Sequence, residues 1–364
     1  GDRGLLCLAP VRQPPVLRVM TRTGVTKSKV KRAGRILACR DAPEEERHWA
    51  FGVADIWRSA HKEVIGEMEG TLRELVSREL ADGGNNTLVV SRLKRMDTIV
   101  KKLQRPDLSM KLNEMNDIAG CRVIVPTKHD VYRIVTAVRD ARVRLYRTKD
   151  YIRTPKDDGY RSVHLITRHD VPSVGLTGLF CETQVRTELQ HAWASALETY
   201  DVICQQGMKF GGGAYEEKRF FALVAALLAE EECASESGEV IGALKEQREE
   251  LRRIEDKMSI LKKLRACSGS VTILGGEDYS YAGYFVLDID YELQCTRLYA
   301  YPEDEGVRAE ETYFQKERKK GDFQDVLLVK AFSLQNLCKA YPNYSLNICK
   351  FLDLANRFVA GEDR

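Results

Sequence analysis

No stretch of this chain approaches the roughly 18 consecutive apolar residues that a membrane-spanning helix requires. None of its ten cysteines forms a C-x-x-C pair, so neither a zinc ribbon nor a thioredoxin-like redox motif is written into the chain. The six histidines offer no helical metal-ligand spacing. The pairs His129-Asp130 and His169-Asp170 therefore do not support a metal-hydrolase reading, and Cys338 and Cys349 lack the partners for a structural zinc. The first 20 residues hold apolar pieces, but Pro10, Pro14 and Pro15 interrupt them. That leaves no continuous apolar core for a secretory signal. A net charge of +3 is too small to imply general coating of nucleic acid.

What is present is ordinary for a folded, soluble protein: 43% apolar and 30% charged residues. Scattered cysteines in a chain of 364 residues read as reduced, buried thiols, and the expected location is cytoplasmic. The length suggests two domains. The expected division is a tail over 1–20, a catalytic domain over 21–232, a connecting helix over 233–268 and a small C-terminal α+β domain over 269–364. Charge is unevenly spread: Arg22, Lys27, Lys29, Lys31, Arg32, Arg35 and Arg40 come with almost no acids. They form either a solvated helix face or a contact for RNA or another polyanion.

Periodicity predicts helices over about 27–38 and 45–80, the second carrying Trp57, Val64, Met68, Leu72 and Leu75 at helical spacing. Strand or strand-then-helix is expected over 88–103. Further strands are expected at 121–125, 143–146, 163–167 and 179–186, with a helix capped by Asp130 and another over 188–200. A helix should run from about Glu216 to Glu232, and one long helix over 240–264. Beyond it, alternation at Phe285, Leu287 and Ile289, a charged helix at 308–320, a strand at 326–329 and helices from Ser333 and Ser345 complete a small ββαβα-like unit. The whole predicts an α/β (α+β) fold with a mixed sheet flanked by helices.

The chemistry concentrates between Asp150 and Arg186. Period-two alternation places Glu182, Gln184 and Arg186 on one strand face, a row suited to a charged substrate rather than a core. Asp150, Lys156, Tyr160, Arg161 and His164 crowd a turn at Gly159. Cations for phosphates, a ring for a base and carboxylates for a metal ion together suit a nucleotide. Asp117 and Glu182, at neighbouring strand ends, could hold Mg²⁺, which takes one or two carboxylates plus phosphate oxygens. Arg92, Lys94, Lys102 and Arg122, with Thr98 between them, add guanidinium planes and ammonium charges for stacking and phosphate binding, and one hydroxyl. His191 is expected to pack or support rather than act as a base.

The R-x-K within Ser91–Lys94, D-I-A-G-C-R at Asp117–Arg122, K-D-Y-I, P-K-x-x-G-Y-R-S-x-H and E-x-Q-x-R-T, in this order, resemble the synthetase domain of the RelA/SpoT family over about residues 88–200. The W-R-S-x-H at Trp57–His61 is similar to a subgroup of single-chain members. Ala340-Tyr341-Pro342-Asn343-Tyr344 resembles the Y-x-x-Y element of fused toxin–antitoxin synthetases of the CapRel type.

The resemblance implies ATP-dependent transfer of pyrophosphate to a nucleotide 3′-hydroxyl, with Mg²⁺ as cofactor. Asp117 and Glu182 would be catalytic and hold the metal. Arg92, Lys94, Lys102 and Arg122 would bind ATP. Lys156, Tyr160, Arg161, His164, Gln184 and Arg186 would bind the acceptor, which is GDP or GTP in one version and the tRNA 3′ end in the other. Tyr341 and Tyr344 would be regulatory, restraining the site until a partner, such as a phage protein, binds the C-terminal domain. Plain turn packing at Pro342-Asn343 is the alternative for these tyrosines. A catalytically silent nucleotide- or RNA-binding sensor is the competing class. Nothing resembles the family's hydrolase domain, so synthesis without self-reversal is expected.

Overall fold

The computed structural model describes residues 24–80, 86–106, 109–204, 213–237, 245–267, 283–290, 293, 295–319, 321, 324–331 and 348–362. Its helices are α1 (Lys27–Ala38), α2 (Glu44–Glu79), α3 (Met96–Leu103), α4 (Lys128–Asp140), α5 (Glu188–Cys204), α6 (Tyr215–Ser237), α7 (Lys245–Met258), α8 (Ile260–Cys267), α9 (Gly306–Lys319) and α10 (Cys349–Ala360). Its strands are β1 (Leu88–Leu93), β2 (Ala119–Val125), β3 (Leu145–Asp150), β4 (Val163–Val171), β5 (Leu176–Thr187), β6 (Gly283–Asp290), β7 (Cys295–Pro302) and β8 (Gln324–Ala331). Among the described residues the eight strands form one mixed sheet in the order β3-β4-β5-β2-β1-β8-β6-β7. β2 and β5 run parallel; the other pairs are antiparallel. No described helix is long and apolar enough to cross a membrane.

Strand alternation divides this sheet into two faces. On one, Val89, Cys121, Val123, Leu165, Cys181 and Val185 meet the apolar stripe of α2, including Trp57, Val64, Met68 and Leu72. Acids at Glu44, Glu45 and Glu46 occupy the first turn of α2, where the helix dipole favours them. Farther along the same face, α9 lays Ala309 and Tyr313 against Val286 and Val326. The opposite face is apolar at the β6–β8 end, where Val90, Ile124, Phe285, Leu287, Leu327 and Val329 cluster, and polar over β1, β2, β5 and β4. A helical layer of α5 to α8 and α10 has its own core around Trp193, Phe220, Phe221, Leu251, Leu264 and Phe351.

Several expectations shift. The segment 269–364 contributes β6–β8 and α9 to the same sheet as β1–β5, because β8 pairs with β1 through Ser91↔Lys330 and Arg92↔Val329. The long helix over 240–264 is two helices. Ser259 adopts φ +52, and the Glu255 carboxylate accepts the Leu261 backbone N–H at 3.0 and 3.1 Å, capping α8. Thr127, not Asp130, is the N-cap of α4. Its Oγ1 accepts from the Asp130 N–H at 3.1 Å and donates to Asp130 Oδ2 at 2.7 Å. The third strand begins at Leu145 and runs to Asp150 rather than covering 143–146. Val143 and Leu145 pack on the core, while the polar residues that follow are carried by pairing with β4 at the sheet edge. The stretch holding the expected helix at Ser333, with Tyr341 and Tyr344, lies outside the described residues, and the helix expected from Ser345 is described from Cys349 onward as α10.

Candidate active site

Register brings the polar residues together. Arg92 on β1 pairs with Gly120 on β2, and Gly120 pairs with Glu182 on β5. One step along, Arg122 pairs with Gln184, and Gln184 with His164 on β4. Paired residues share a face, so Arg92, Arg122, Glu182, Gln184 and His164 line one surface of the sheet. Gly120 keeps this surface low at its centre: a Cβ there would lie 3.6 Å from Arg92 Cγ. Beneath, Ser91 hydrogen-bonds the Glu69 carboxylate of α2, itself held by Arg73 Nε and Nη2 at 3.0 and 2.6 Å. β1 is thereby tied to α2 at the residue preceding Arg92.

Asp117 stands just before β2. Lys94 Nζ donates to its Oδ2 at 2.8 Å and Lys102 Nζ to its Oδ1 at 2.9 Å. Burial pushes this carboxyl up, but the two ammonium groups outweigh it and hold the group far below the usual carboxylate range. Burial draws the Lys94 ammonium below its ordinary value despite Asp117, with Lys102 and Arg92 adding to the depression. The Lys94 backbone is fixed on both sides: its N–H donates to Ile118 O at 2.8 Å, and its carbonyl accepts from Arg58 Nε at 2.8 Å.

The second cluster is built differently. Gln184 Nε2 donates to Glu182 Oε1 at 3.0 Å, and His164 Nδ1 lies 3.4 Å from the same oxygen. His164 Nε2 is 2.8 Å from Tyr160 Oη. Burial raises the Tyr160 hydroxyl against the opposing Arg186 charge, so the phenol stays protonated. It can then donate to Nε2, which leaves Nδ1–H facing Glu182. Burial pushes Glu182 up, yet the His164 hydrogen bond and charge prevail and bring it down to about 2. Glu182 and Asp117 repel each other, which places two ionised carboxylates in one electrostatic field.

Tyr160 follows Gly159, whose φ of +92 needs glycine and whose added Cβ would meet Ala225 Cβ on α6 at 2.5 Å. The tyrosine ring is half-buried, near Trp193, Tyr151 and His164. The exposed Lys156 ammonium covers it, 4.7 Å from the ring centroid.

Two of the sequence-derived candidates lie apart from the open surface. Arg161 turns to α6, donating from Nη1 to Gly159 O at 2.9 Å and Ala225 O at 3.1 Å; it secures the turn instead of facing a ligand. Arg186 is buried under α5, where its Nη2 lies 2.6 Å from His191 Nδ1. Burial, aided by Arg122, brings its guanidinium down to about 9. Two cations were missed by sequence reasoning. Arg147 pairs with Ile166 and Lys149 with His164, so both extend the polar face onto β3. Their i, i+2 spacing was the available signal, and the misplaced strand hid it.

Among the described residues no group of three or more His, Cys, Asp or Glu side chains is placed to hold a metal. The residues that could hold Mg²⁺ are the ionised Asp117 and Glu182, with ligand oxygens and water filling the other positions once Lys94 and Lys102 release Asp117.

Residues 91–200 match the family model described as the region found in RelA/SpoT proteins. Over 114 residues the chain is 40% identical to the GTP pyrophosphokinase YwaC of Bacillus subtilis, a match covering 29% of this chain and 53% of that protein. It is 28% identical over 162 residues to a GTP pyrophosphokinase of Photobacterium angustum, covering 44% of this chain and 20% of that one. The chain thus spans about half the length, or less, of the curated relatives it matches. Among solved structures, small alarmone synthetase 1 from Bacillus subtilis, bound to its product pppGpp, aligns at 22% identity with a TM-score of 0.44. That alignment covers 51% of this chain and 97% of the other.

Proposed function

We propose that this chain is a RelA/SpoT-type pyrophosphokinase that moves the β,γ-pyrophosphate of ATP onto the 3′-hydroxyl of a guanosine nucleotide, GDP or GTP. The acceptor oxygen forms a bond to Pβ, the bond from Pβ to the oxygen bridging to Pα breaks, AMP leaves, and the hydroxyl proton is released. The observation that carries this reading is two ionised carboxylates in one electrostatic field, Asp117 before β2 tied to lysines and Glu182 on β5 tied to an aromatic–imidazole pair. The matched family region and the names of the relatives support the acceptor.

Arg92 and Arg122 would hold the adenine of ATP, and Lys94 and Lys102 would turn from Asp117 to the phosphates. Mg²⁺ held by Asp117 and Glu182 would supply charge neutralisation for the transferred group. Tyr160 would stack the acceptor base once Lys156 swings away, and Arg147 and Lys149 would meet its phosphates. A carboxylate held at about 2 is a weak general base. Glu182 would therefore orient the hydroxyl, with proton loss late in a dissociative transition state. Gln184 and His164 fix the carboxylate for that task.

A second acceptor, the tRNA 3′ end, is favoured by one observation. Lys27, Lys29, Lys31, Arg32 and Arg35 are exposed on α1, and Arg32 lies over Trp49, 5.0 Å from its ring centroid. Incubating the intact protein with labelled ATP and GDP, GTP or tRNA discriminates. Label on GDP or GTP is expected; label on tRNA alone selects the second acceptor, and label on none favours a silent nucleotide-binding sensor. Reversing Lys29, Lys31 and Arg32 to Glu should weaken only the tRNA reaction, with steep salt dependence.

Restraint of the toxin–antitoxin kind, relieved by a partner such as a phage protein, belongs to the same proposal and rests on the sequence at Tyr341 and Tyr344. Tyr341→Ala should then raise transfer by the intact chain; unchanged transfer contradicts restraint through this element.

A further inference from the structure

Arg58, in the W-R-S-x-H segment of α2, has only 1% of its surface exposed. A guanidinium so deep must be fully paired, because an unpaired buried charge costs several kcal/mol. Its donors reach three parts of the chain. Nε donates to the Lys94 carbonyl at 2.8 Å, Nη1 to Asp55 Oδ1 at 3.2 Å, and Nη2 to Tyr313 Oη on α9 at 2.6 Å. Nη2 also lies 3.8 Å from Glu317 Oε2. The other oxygen of Glu317 accepts from the Met96 backbone N–H at 3.4 Å. Met96 is the first residue of α3, where a carboxylate complements the helix dipole.

These contacts converge on the two lysines that hold Asp117. Lys94 has its carbonyl fixed by Arg58, which Tyr313 orients. Lys102 rides on α3, whose N-terminus Glu317 holds. Phe314 packs on the same cations, with Arg58 Cζ 5.7 Å and Lys62 Nζ 5.3 Å from its ring centroid. Lys62 also pairs with Glu310 at 2.6 Å. The seam between α2 and α9 is therefore charged, buried at Arg58 and Tyr313 and half-exposed at Lys62 and Glu310, and meets the β1–α3 connection.

We propose that Arg58 is a positioning residue for the Lys94–Asp117–Lys102 cluster, and that Tyr313 and Glu317 complete it from the C-terminal segment. In this view α9 is part of the scaffold of the ATP side of the site, so a ligand or partner that shifts α9 tunes ATP binding through Lys94 and α3. The inference rests on the nucleotide-site reading above.

The test uses the intact chain and measures three quantities: affinity for a non-hydrolysable ATP analogue, affinity for GDP, and melting temperature. Tyr313→Phe and Glu317→Gln should each weaken the analogue about five- to tenfold, as loss of a hydrogen bond to a charged or helix-terminal group implies. GDP affinity should stay within about twofold, and the exposed α9 variant Arg308→Ala should change neither ligand. Arg58→Lys, which cannot span all three partners, should lose more analogue affinity than either. Unchanged analogue affinity in both mild variants overturns the inference. So does parallel loss of both ligands with a falling melting temperature. If the parent binds no ATP analogue, the site reading and the inference fail together. If it binds the analogue but transfers no pyrophosphate to any acceptor, only the transferase reading fails.

Discussion

The two halves of the polar sheet face are stabilised by opposite means. Around Asp117, full charges neutralise one another: a carboxylate and two ammonium groups, braced from behind by the buried Arg58. Around Glu182, Gln184 and the Tyr160–His164 pair converge on one carboxylate by hydrogen bonding. In the proposed reading the first half would be an ion-exchange site, its lysines trading their partner Asp117 for phosphates. The second half is already organised, and only the exposed Lys156 must move for a ring to stack on Tyr160. In phosphoryl transfer the protein mainly positions reactants and balances charge. In the proposed reading the difference would assign charge balance to one half and positioning to the other.

The largest effect should come from destroying the charged half. Asp117→Asn leaves Lys94 and Lys102 without their acid and removes a carboxylate from the candidate metal pair. Turnover in the label-transfer assay should fall by roughly a thousandfold or more. A loss below tenfold would make Asp117 a structural ion-pair residue.

A smaller and more selective effect is expected in the other half. Tyr160→Ala should raise KM for the acceptor by about tenfold or more, the range for losing a base–aromatic stack, while KM for ATP stays within about twofold. Equal changes in both would mean that the half-buried ring serves packing against Trp193.

How much of this was legible in the sequence depends on the range of the interaction. Glu182, Gln184 and Arg186 alternate within one strand, Arg122 lies within another and Asp117 just before it, so local pattern placed them on or beside one face. Arg161 sits beside Tyr160 in sequence, yet Gly159 bends the chain so that its guanidinium meets Ala225 O instead of the face. The α7–α8 break at Ser259 carries no Gly or Pro to announce it. The pairing of β8 with β1 and the Arg58–Tyr313 contact join residues more than 200 positions apart, and no periodicity encodes either.

The smallest effect on substrate binding lies outside both halves, in the buried stripe of α2 beneath the sheet, and serves as their control. His61 is fully buried, its Nδ1–H bonded to Trp57 O at 2.8 Å. Burial brings the imidazole down to about 4, against that hydrogen bond and with help from His169. The unfolded chain takes up this proton near pH ~6.5 and the folded chain only near 4. Between those values the unfolded state binds more protons, so stability falls as pH drops through the window and is flat above it. The loss should total on the order of 3 kcal/mol. His61→Phe should flatten that part of a stability-against-pH curve and leave KM for both substrates unchanged. A slope that persists in the variant would assign the acid sensitivity to another group.

The division of labour between the halves is tested most directly by titrating one ATP analogue and GDP, separately, into Lys102→Met and Tyr160→Ala. The account predicts a crossed pattern: Lys102→Met loses analogue affinity and keeps GDP, and Tyr160→Ala does the reverse. Loss of both ligands in both variants would contradict it.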